Sequence, residues 1–132
     1  MFIEDEKILT PQDWVFPIPI AYGPGRIWEV GDYCTKYGIS NPLIVTDKGS
    51  HTLSFIDILK KALKKKNVSF GFYSGIAPNP NDKDLEMGCD QFSKDKHDGI
   101  IAIGGGSALD GGKAIGLTVN SGKDLWLSLI HI

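Results

Sequence analysis

A short apolar run that ends in three glycines and a serine constrains the fold of this chain more than any other feature. Ile100 to Ile103 predicts a strand, Gly104 to Gly106 a tight turn, and Ser107 the start of a helix. The three glycines allow the backbone to take positive φ angles and to come close to a ligand, because they carry no Cβ. The unpaired N–H groups at the start of a helix favour an anion, so the turn predicts a phosphate site. A tight strand-to-helix turn without a ligand explains the same residues, and both interpretations stay open.

Two other apolar segments are predicted to be strands, with helical patterns between them. Leu43 to Thr46 is a continuous apolar run of the kind found in a parallel strand covered on both faces, and Val68 to Tyr73 alternates. Strands that alternate with helices predict an α/β fold, a Rossmann-like parallel sheet flanked by helices. Ligands bind such sheets at the carboxyl ends of the strands. Asp47, the loop Pro78-Asn79-Pro80 and the glycine turn all lie at such ends, so one pocket is predicted to contain them.

Three helices are predicted before the glycine turn. The first ends at Gly38, the second runs from about Thr52 to Lys66, and the third begins at an N-cap, Asp82, and ends near Lys96. Apolar residues at helical spacing mark their buried faces. The predicted core positions are Ile27, Val30, Cys34 and Tyr37 in the first helix, Phe55, Ile56, Leu59 and Leu63 in the second, and Leu85, Cys89 and Phe92 in the third.

The helix after the glycine turn carries two unusual pairs of residues. Asp110 and Lys113 lie three positions apart and share a face, so they either form an exposed ion pair or belong to the site. Gly111 and Gly112 each cost up to about 1 kcal/mol relative to alanine within a helix. Close packing of this helix on the sheet or on a ligand would explain them.

Asp47 has two interpretations. A carboxylate at the end of a strand beside a phosphate-binding turn accepts both hydroxyls of an adenosine ribose, whereas it repels a 2′-phosphate of like charge. This interpretation favours NAD over NADP. The alternative is that Asp47 caps the turn at Lys48-Gly49. The usual dinucleotide fingerprint and the P-loop are both excluded, because the aspartate precedes the glycines and no Gly-Lys-Ser/Thr follows them.

Composition narrows the class of protein. The 132 residues, 42% of them apolar, suffice for one domain with its own core, and a net charge of −2 offers no basic field for nucleic acid. The lysines between residues 60 and 66 are predicted to be a solvated helix face. No apolar run is long enough to span a membrane, and acidic residues rather than basic ones follow Met1. We therefore expect a cytoplasmic protein with neither a nucleic-acid nor a membrane partner.

The cysteines and histidines predict no metal site. Cys34 and Cys89 are isolated in apolar helical patterns, which indicates reduced core thiols. His51, His97 and His131 are far apart, without the paired spacing or carboxylate cluster of a metal site. We expect them to be surface or loop residues.

The two ends of the chain are predicted to lie outside the nucleotide-binding unit, which we place at residues 23–126. Residues 1–22 combine apolar residues with Pro17 and Pro19, which predicts an extended arm or an edge strand. Residues 127–132, Leu-Ser-Leu-Ile-His-Ile, are what a transposase end sequence used in DNA library preparation would encode, so we expect a non-native tail. An apolar arm promotes association, and we expect a homo-oligomer.

Three motifs together carry a family resemblance. They are Leu-Ile-Val-Thr-Asp-Lys-Gly at 43–49, Ala-Pro-Asn-Pro-Asn at 77–81, and Asp-Gly-Ile-Ile-Ala-Ile-Gly-Gly-Gly-Ser-x-x-Asp-x-x-Lys-Ala-Ile from 98. In this order the chain resembles the amino-terminal domain of the iron-containing (group III) alcohol dehydrogenases, which share the dehydroquinate synthase-like fold. Gly111-Gly112 replaces the more usual Thr-Ala of that family, which we expect to weaken packing of the helix.

The resemblance implies NAD as cofactor and a small alcohol or aldehyde as substrate. It also implies a second, all-helical domain whose aspartate and three histidines hold Fe²⁺, and which is absent from this sequence. The fragment itself is therefore expected to be inactive. The residues that the resemblance assigns to the cofactor are Asp47, Asn79, Pro80, Gly104, Gly105, Gly106 and Ser107, with Asp110 at the nicotinamide end. The alternatives are a glycerol dehydrogenase or dehydroquinate synthase relative that uses zinc, and a non-catalytic nucleotide- or phosphate-binding domain.

Overall fold

A computed structural model describes residues 20–121 as an α/β unit. A one-turn 3₁₀ helix at Arg26–Glu29 leads into the first α-helix. The strands are β1 (Pro42–Asp47), β2 (Gly71–Ile76) and β3 (Gly99–Ala102). The helices are α1 (Val30–Lys36), α2 (Ser54–Lys65), α3 (Asp82–Lys94) and α4 (Gly106–Ser121).

The three strands form one parallel sheet in the order β2-β1-β3. Leu43 of the central strand pairs with Gly71 on one side and with Ile100 on the other. The stretch Pro42–Thr46 is buried throughout, as expected for a parallel strand with helices on both faces. The predicted fold class is therefore confirmed.

Each face of the sheet carries its own apolar core. One core joins the sheet to α3 and α4, and its buried residues are Leu43, Val45, Tyr73, Ile76, Leu85 and Ile115. The other joins the sheet to α1 and α2 through Cys34, Ile44, Leu59 and Leu63. Successive residues of β1 thus point to opposite faces, which is the alternation that a strand imposes.

Of the eleven predicted core positions, five are buried, five are half-buried and one, Tyr37, is exposed. Tyr37 is 58% exposed, because α1 already ends at Lys36. Phe55 is only half-buried, and Ala62 completes the buried stripe of α2 in its place. Both predicted thiols are free; Cys34 is buried and Cys89 half-buried. Desolvation in these apolar surroundings raises the pKa of both thiols.

The prediction of a strand at Val68–Tyr73 is displaced by three residues, because β2 is Gly71–Ile76. Val68 belongs instead to the end of α2, where its N–H donates to the Leu63 carbonyl at 3.0 Å. Asn67 adopts φ 57° there, the left-handed conformation that commonly ends a helix. Val68 and Phe70 still pack against the core, so their apolar alternation reflects burial and not strand pairing.

The predicted N-cap of α3 is also displaced by one position. The cap is Asn81, whose side chain accepts a hydrogen bond from the Asp84 N–H at 2.9 Å. Asn81 has the extended backbone of a cap, with ψ 172°, while Asp82 is already the first helical residue.

The predicted arm up to residue 19, the predicted non-native tail and His131 lie outside the described residues and stay predictions. Ile20 and Tyr22, where the description begins, are 75% and 90% exposed. Within residues 20–121, none of the helices has the length and apolarity needed to cross a membrane.

Candidate functional site

The structure brings Asp47, the 77–81 loop and the glycine turn together at the carboxyl edge of the sheet. The Lys48 N–H donates to the Ile76 carbonyl at 2.9 Å, which ties the segments after β1 and β2 to each other. The Ser107 hydroxyl donates to the Pro78 carbonyl at 2.9 Å, which ties the start of α4 to the loop. All three features therefore border one region, as the topology predicts.

The glycine turn contains one residue with a left-handed backbone. Gly104 has φ 134°, whereas Gly105 and Gly106 do not adopt positive φ. A Cβ at Gly104 would lie 2.9 Å from the Ala108 Cβ and 3.1 Å from Asp47 Oδ2. A Cβ at Gly105 or Gly106 would meet no atom within 4 Å. Gly104 is thus required by the fold, while the other two leave open space before the helix.

The N-terminus of α4 faces that open space. The helix runs for 16 residues, and its first turn contains no acidic side chain. Its ladder begins with the Leu109 N–H, which donates to the Gly105 carbonyl at 3.1 Å. The preceding N–H groups have no partner within the helix and carry its partial positive charge. This end of α4 can hold an anion.

Asp47 lies across Gly104 from this helix and also takes part in its own turn. Its Oδ2 accepts a hydrogen bond from the Ser50 hydroxyl at 3.0 Å, and its carbonyl accepts one from the Ser50 N–H at 3.2 Å. The turn interpretation of Asp47 therefore holds. The carboxylate is only half-buried, so it remains available to a ligand as well.

Two cavities border the site. One, of about 380 Å³, is lined by Ser50, Phe55, Ile103, Gly104 and Gly105. The other, of about 610 Å³, is lined by Pro80, Leu85, Asp110, Gly111, Lys113, Ala114 and Leu117. Asn79 is exposed on the loop beside the second cavity. Ser50 and Phe55 were not among the predicted site residues; a serine three positions after an aspartate in a turn was the available signal for Ser50.

Asp110 and Lys113 both line the larger cavity. Within the described 20–121 stretch no ion pair joins them, so of the two interpretations that the sequence left open the intrahelical pair is not observed. Their side chains instead border the space next to Pro80.

The paired glycines of α4 are explained by the sheet. A Cβ at Gly112 would lie 2.6 Å from the Ala102 Cβ, and one at Gly111 would lie 2.8 Å from Ile76 Cδ1. Our expectation that these glycines weaken helix packing is wrong, because they let α4 approach the strands more closely than alanine would.

The described residues contain no cluster of side chains of the kind that holds a metal ion. Within 20–121 there is no group of three or more histidine, cysteine, aspartate or glutamate side chains suited to one. His51 is exposed, as predicted. His97 lies in the loop before β3, as predicted, but it is buried there, and its Nδ1 lies 2.9 Å from the Asn41 carbonyl. Asn41 precedes β1, so His97 is at the edge of the sheet opposite to the site.

Comparison with known proteins agrees with this fold. The chain is 33% identical over 116 residues to 1,3-propanediol dehydrogenase of Citrobacter freundii, covering 86% of this chain and 30% of that protein. It is 36% identical over 115 residues to NADH-dependent butanol dehydrogenase A of Clostridium acetobutylicum, covering 86% and 29%. The chain thus spans under a third of the length of the relatives it matches.

A solved structure shows the same architecture. NADH-dependent butanol dehydrogenase A from Thermotoga maritima superposes with a TM-score of 0.79 at 28% identity, over 87% of this chain and 30% of that chain. The family model for iron-containing alcohol dehydrogenase matches residues 17–130, which confirms the resemblance carried by the three motifs. This chain therefore belongs to the iron-containing alcohol dehydrogenase family.

Proposed function

We propose that this chain is the NAD-binding part of an alcohol dehydrogenase that transfers a hydride between a small alcohol and NAD. The observation that supports this most directly is the approach of Asp47 to the N-terminus of α4 across Gly104. A Cβ at Gly104 would lie 3.1 Å from Asp47 Oδ2, so a glycine at this position is what lets Asp47 and the start of α4 approach each other. One end of this arrangement suits a ribose and the other a pyrophosphate.

The residues at the site fit a dinucleotide. The pyrophosphate is assigned to the space before Gly105, Gly106 and Ser107, where added side-chain atoms at the glycines would meet no protein atom. The adenosine is assigned to the cavity beside Asp47, and the nicotinamide end to the cavity that Pro80 and Asp110 border. Asn79, next to Pro80, is assigned to the same cofactor cleft.

The charge at Asp47 favours NAD over NADP. An ionised carboxylate accepts hydrogen bonds from both ribose hydroxyls, whereas a 2′-phosphate has the same sign of charge and donates none at neutral pH. Asp47 is half-buried, so solvent screens this repulsion only in part.

Bound NAD would accept the hydride from the alcohol carbon. Iron does not fit residues 20–121, because no three or more histidine, cysteine, aspartate or glutamate side chains cluster there to hold it. We place the metal ligands in a longer parent protein, because the chain covers only about 30% of the length of its relatives. The 132 residues alone are expected to show no alcohol oxidation with added Fe²⁺ and NAD, and measurable metal-dependent turnover would refute this.

Calorimetric titration of the chain with NAD, NADP and ADP-ribose tests the cofactor assignment. NAD and ADP-ribose should bind, and NADP should bind more weakly. Gly105→Val should remove binding by filling the space before α4, while Gly116→Ala, on the same helix but away from the turn, should not. Asp47→Asn should reduce the preference for NAD, with Asp57→Asn on α2 as the control. The proposal fails if NAD binds no more tightly than a simple sugar phosphate, which would indicate a phosphate-binding domain instead.

Self-association is part of this proposal. Ile20, Tyr22 and Trp28 are 75%, 90% and 44% exposed on one end of the described chain. Large exposed apolar side chains close together in sequence indicate a contact surface. Sedimentation velocity should show a dimer or a larger species, and a monodisperse monomer would contradict it.

A further inference from the structure

Ser50 directs both of its hydrogen-bond donors at Asp47. Its hydroxyl donates to Asp47 Oδ2 at 3.0 Å, and its backbone N–H donates to the Asp47 carbonyl at 3.2 Å. Both are within the ordinary range of hydrogen-bond lengths or close to it. The carboxylate at the end of β1 is therefore held by the residue three positions later.

The turn that carries Ser50 is fixed on both sides. The Lys48 N–H donates to the Ile76 carbonyl of β2 at 2.9 Å, and the Leu53 N–H donates to the Ser50 carbonyl at 3.0 Å. Leu53 is the residue that precedes α2. The sheet and the start of α2 thus determine where the Ser50 hydroxyl lies.

Two glycines also lie beside the Asp47 carboxylate. A Cβ at Gly104 would lie 3.1 Å from Oδ2, and one at Gly49 would lie 3.4 Å from Oδ1. Neither glycine has a side chain that could orient the carboxylate, and within residues 20–121 the Ser50 hydroxyl is the side-chain donor that bonds to it. A carboxylate has about four acceptor positions, and the bond from Ser50 uses one of them.

We infer that Ser50 is a positioning residue, which holds the Asp47 carboxylate in the orientation that accepts the ribose hydroxyls of NAD. This inference rests on the proposed function. The only hydroxyl proton of Ser50 is donated to Asp47, so toward the cavity that it shares with Phe55 the Ser50 oxygen presents acceptor lone pairs. The ribose diol can donate to such a surface, whereas a 2′-phosphate cannot. Ser50 thereby contributes to the preference for NAD over NADP.

The experiment uses the whole chain and two independent measurements. Three-bond NMR couplings give the rotamer populations of the Asp47 side chain without a ligand, and calorimetry gives the dissociation constants of NAD and NADP. The variants are Ser50→Ala, which removes the donor, Ser50→Cys, which keeps nearly the same shape with a weak donor, and Ser50→Thr, which keeps the hydroxyl. Thr52→Ala, at an exposed turn position two residues later, is the control.

We expect one dominant Asp47 rotamer in the unsubstituted chain, in Ser50→Thr and in Thr52→Ala. In Ser50→Ala and Ser50→Cys we expect the Asp47 side chain to average over several rotamers. Loss of one hydrogen bond of ordinary strength corresponds to about a 2- to 10-fold weakening of NAD binding. NADP binding should change less, so the ratio of the two affinities should fall in Ser50→Ala and be restored in Ser50→Thr. Ser50→Cys keeps the inference testable if Ser50→Ala does not fold.

The inference is overturned if the Asp47 rotamer is the same with and without the Ser50 hydroxyl, or if the affinity ratio is unchanged in every variant. Failure of the unsubstituted chain to bind NAD would count against the proposed function instead. The coupling constants would then decide by themselves whether Ser50 holds Asp47.

Discussion

The Ser107 hydroxyl at the start of α4 donates a hydrogen bond to the Pro78 carbonyl, 2.9 Å away in the loop after β2. A serine hydroxyl has a single proton, so in this arrangement it cannot also donate to a phosphate oxygen. The backbone N–H groups at the start of α4 are then left to hold the pyrophosphate. Ser107 acts on the proposed site through the loop that carries Asn79 and Pro80.

Ser107→Ala should release this loop. Because the bond is exposed, we expect a loss of about 0.5–1 kcal/mol in the free energy of unfolding, measured by urea denaturation. The amides of Ala77, Asn79 and Asn81 should exchange faster with solvent, and Ser107→Thr should preserve both properties. Weaker NAD binding without any change in loop exchange would show that the hydroxyl contacts the phosphate directly.

Gly112→Ala and Gly116→Ala should have opposite effects on stability. A Cβ at Gly112 would lie 2.6 Å from the Ala102 Cβ, and overpacking of this kind costs about 1–3 kcal/mol. The nearest atom to a Cβ at Gly116 is Ile100 Cδ1 at 3.5 Å, an ordinary contact, so alanine there should stabilise α4 by up to about 1 kcal/mol. Thermal and urea unfolding of both variants measure the difference. Equal stabilisation by both alanines would mean that α4 does not pack closely on β3.

Asn81→Ala should destabilise the chain more than Asp82→Ala. The Asn81 side chain accepts the Asp84 N–H, and loss of such a cap typically costs about 1 kcal/mol. Asp82 acts only through its charge near the helix N-terminus, an effect of about 0.3–1 kcal/mol that salt screens. Urea unfolding at low and high ionic strength distinguishes the capping hydrogen bond of Asn81 from the charge effect of Asp82. Only the loss of stability in Asp82→Ala should become smaller with added salt. The opposite ranking would restore Asp82 as the cap.

Asp98 should stabilise the fold at neutral pH and lose this effect in acid. Its carboxylate accepts hydrogen bonds from the Ser40 N–H, the Ser40 hydroxyl and the Asn41 N–H, each at 2.8 Å. These bonds, the one from the Ser40 N–H first, lower the pKa of Asp98. Because the pKa of Asp98 is lower in the folded chain than in the unfolded one, its ionised carboxylate stabilises the fold. This stabilisation is complete above the unfolded-state pKa of about 3.9 and is lost as pH falls through the folded-state pKa.

The check is the pH dependence of Asp98→Ala. The unsubstituted chain should be more stable than this variant from pH 7 down to about pH 4, and the difference in the free energy of unfolding should shrink below that pH. Asp57→Ala, an exposed carboxylate on α2, serves as the matched control. A difference that stays constant into strong acid would show that Asp98 acts through packing and not through its charge.

The strand-turn-helix from Ile100 to Ser107 was predictable because local chemistry determines it. An apolar run, glycines and a helix start each have a strong sequence signal, and the strand and the helix each begin one residue before the predicted position. The burial of β1 was predictable for a similar reason, since Leu43 to Val45 is an uninterrupted run of apolar residues. Local signals of this strength survive tertiary packing.

The predictions from sequence are wrong where a segment is compatible with two local structures and tertiary contacts decide between them. The alternation of Val68 and Phe70 is compatible with a strand, but the Val68 N–H completes the end of α2, which leaves Gly71 as the first paired residue. The bond from Ser107 to Pro78 joins residues far apart in sequence, so spacing alone could not reveal it. Close packing on the sheet was one of two explanations that the sequence offered for Gly111 and Gly112, and only their distances to Ala102 and Ile76 could favour it over packing on a ligand.

Thr46 has a consequence for what the site can accommodate. Its side chain is fully buried, and its hydroxyl donates to the Ile103 carbonyl at 2.7 Å, immediately before the glycine turn. The segment that leads to α4 is thereby fastened to the strand whose next residue is Asp47. The fold itself therefore fixes the spacing between the carboxylate and the helix start. A dinucleotide of the proposed kind would then bind without the cost of first ordering this part of the protein.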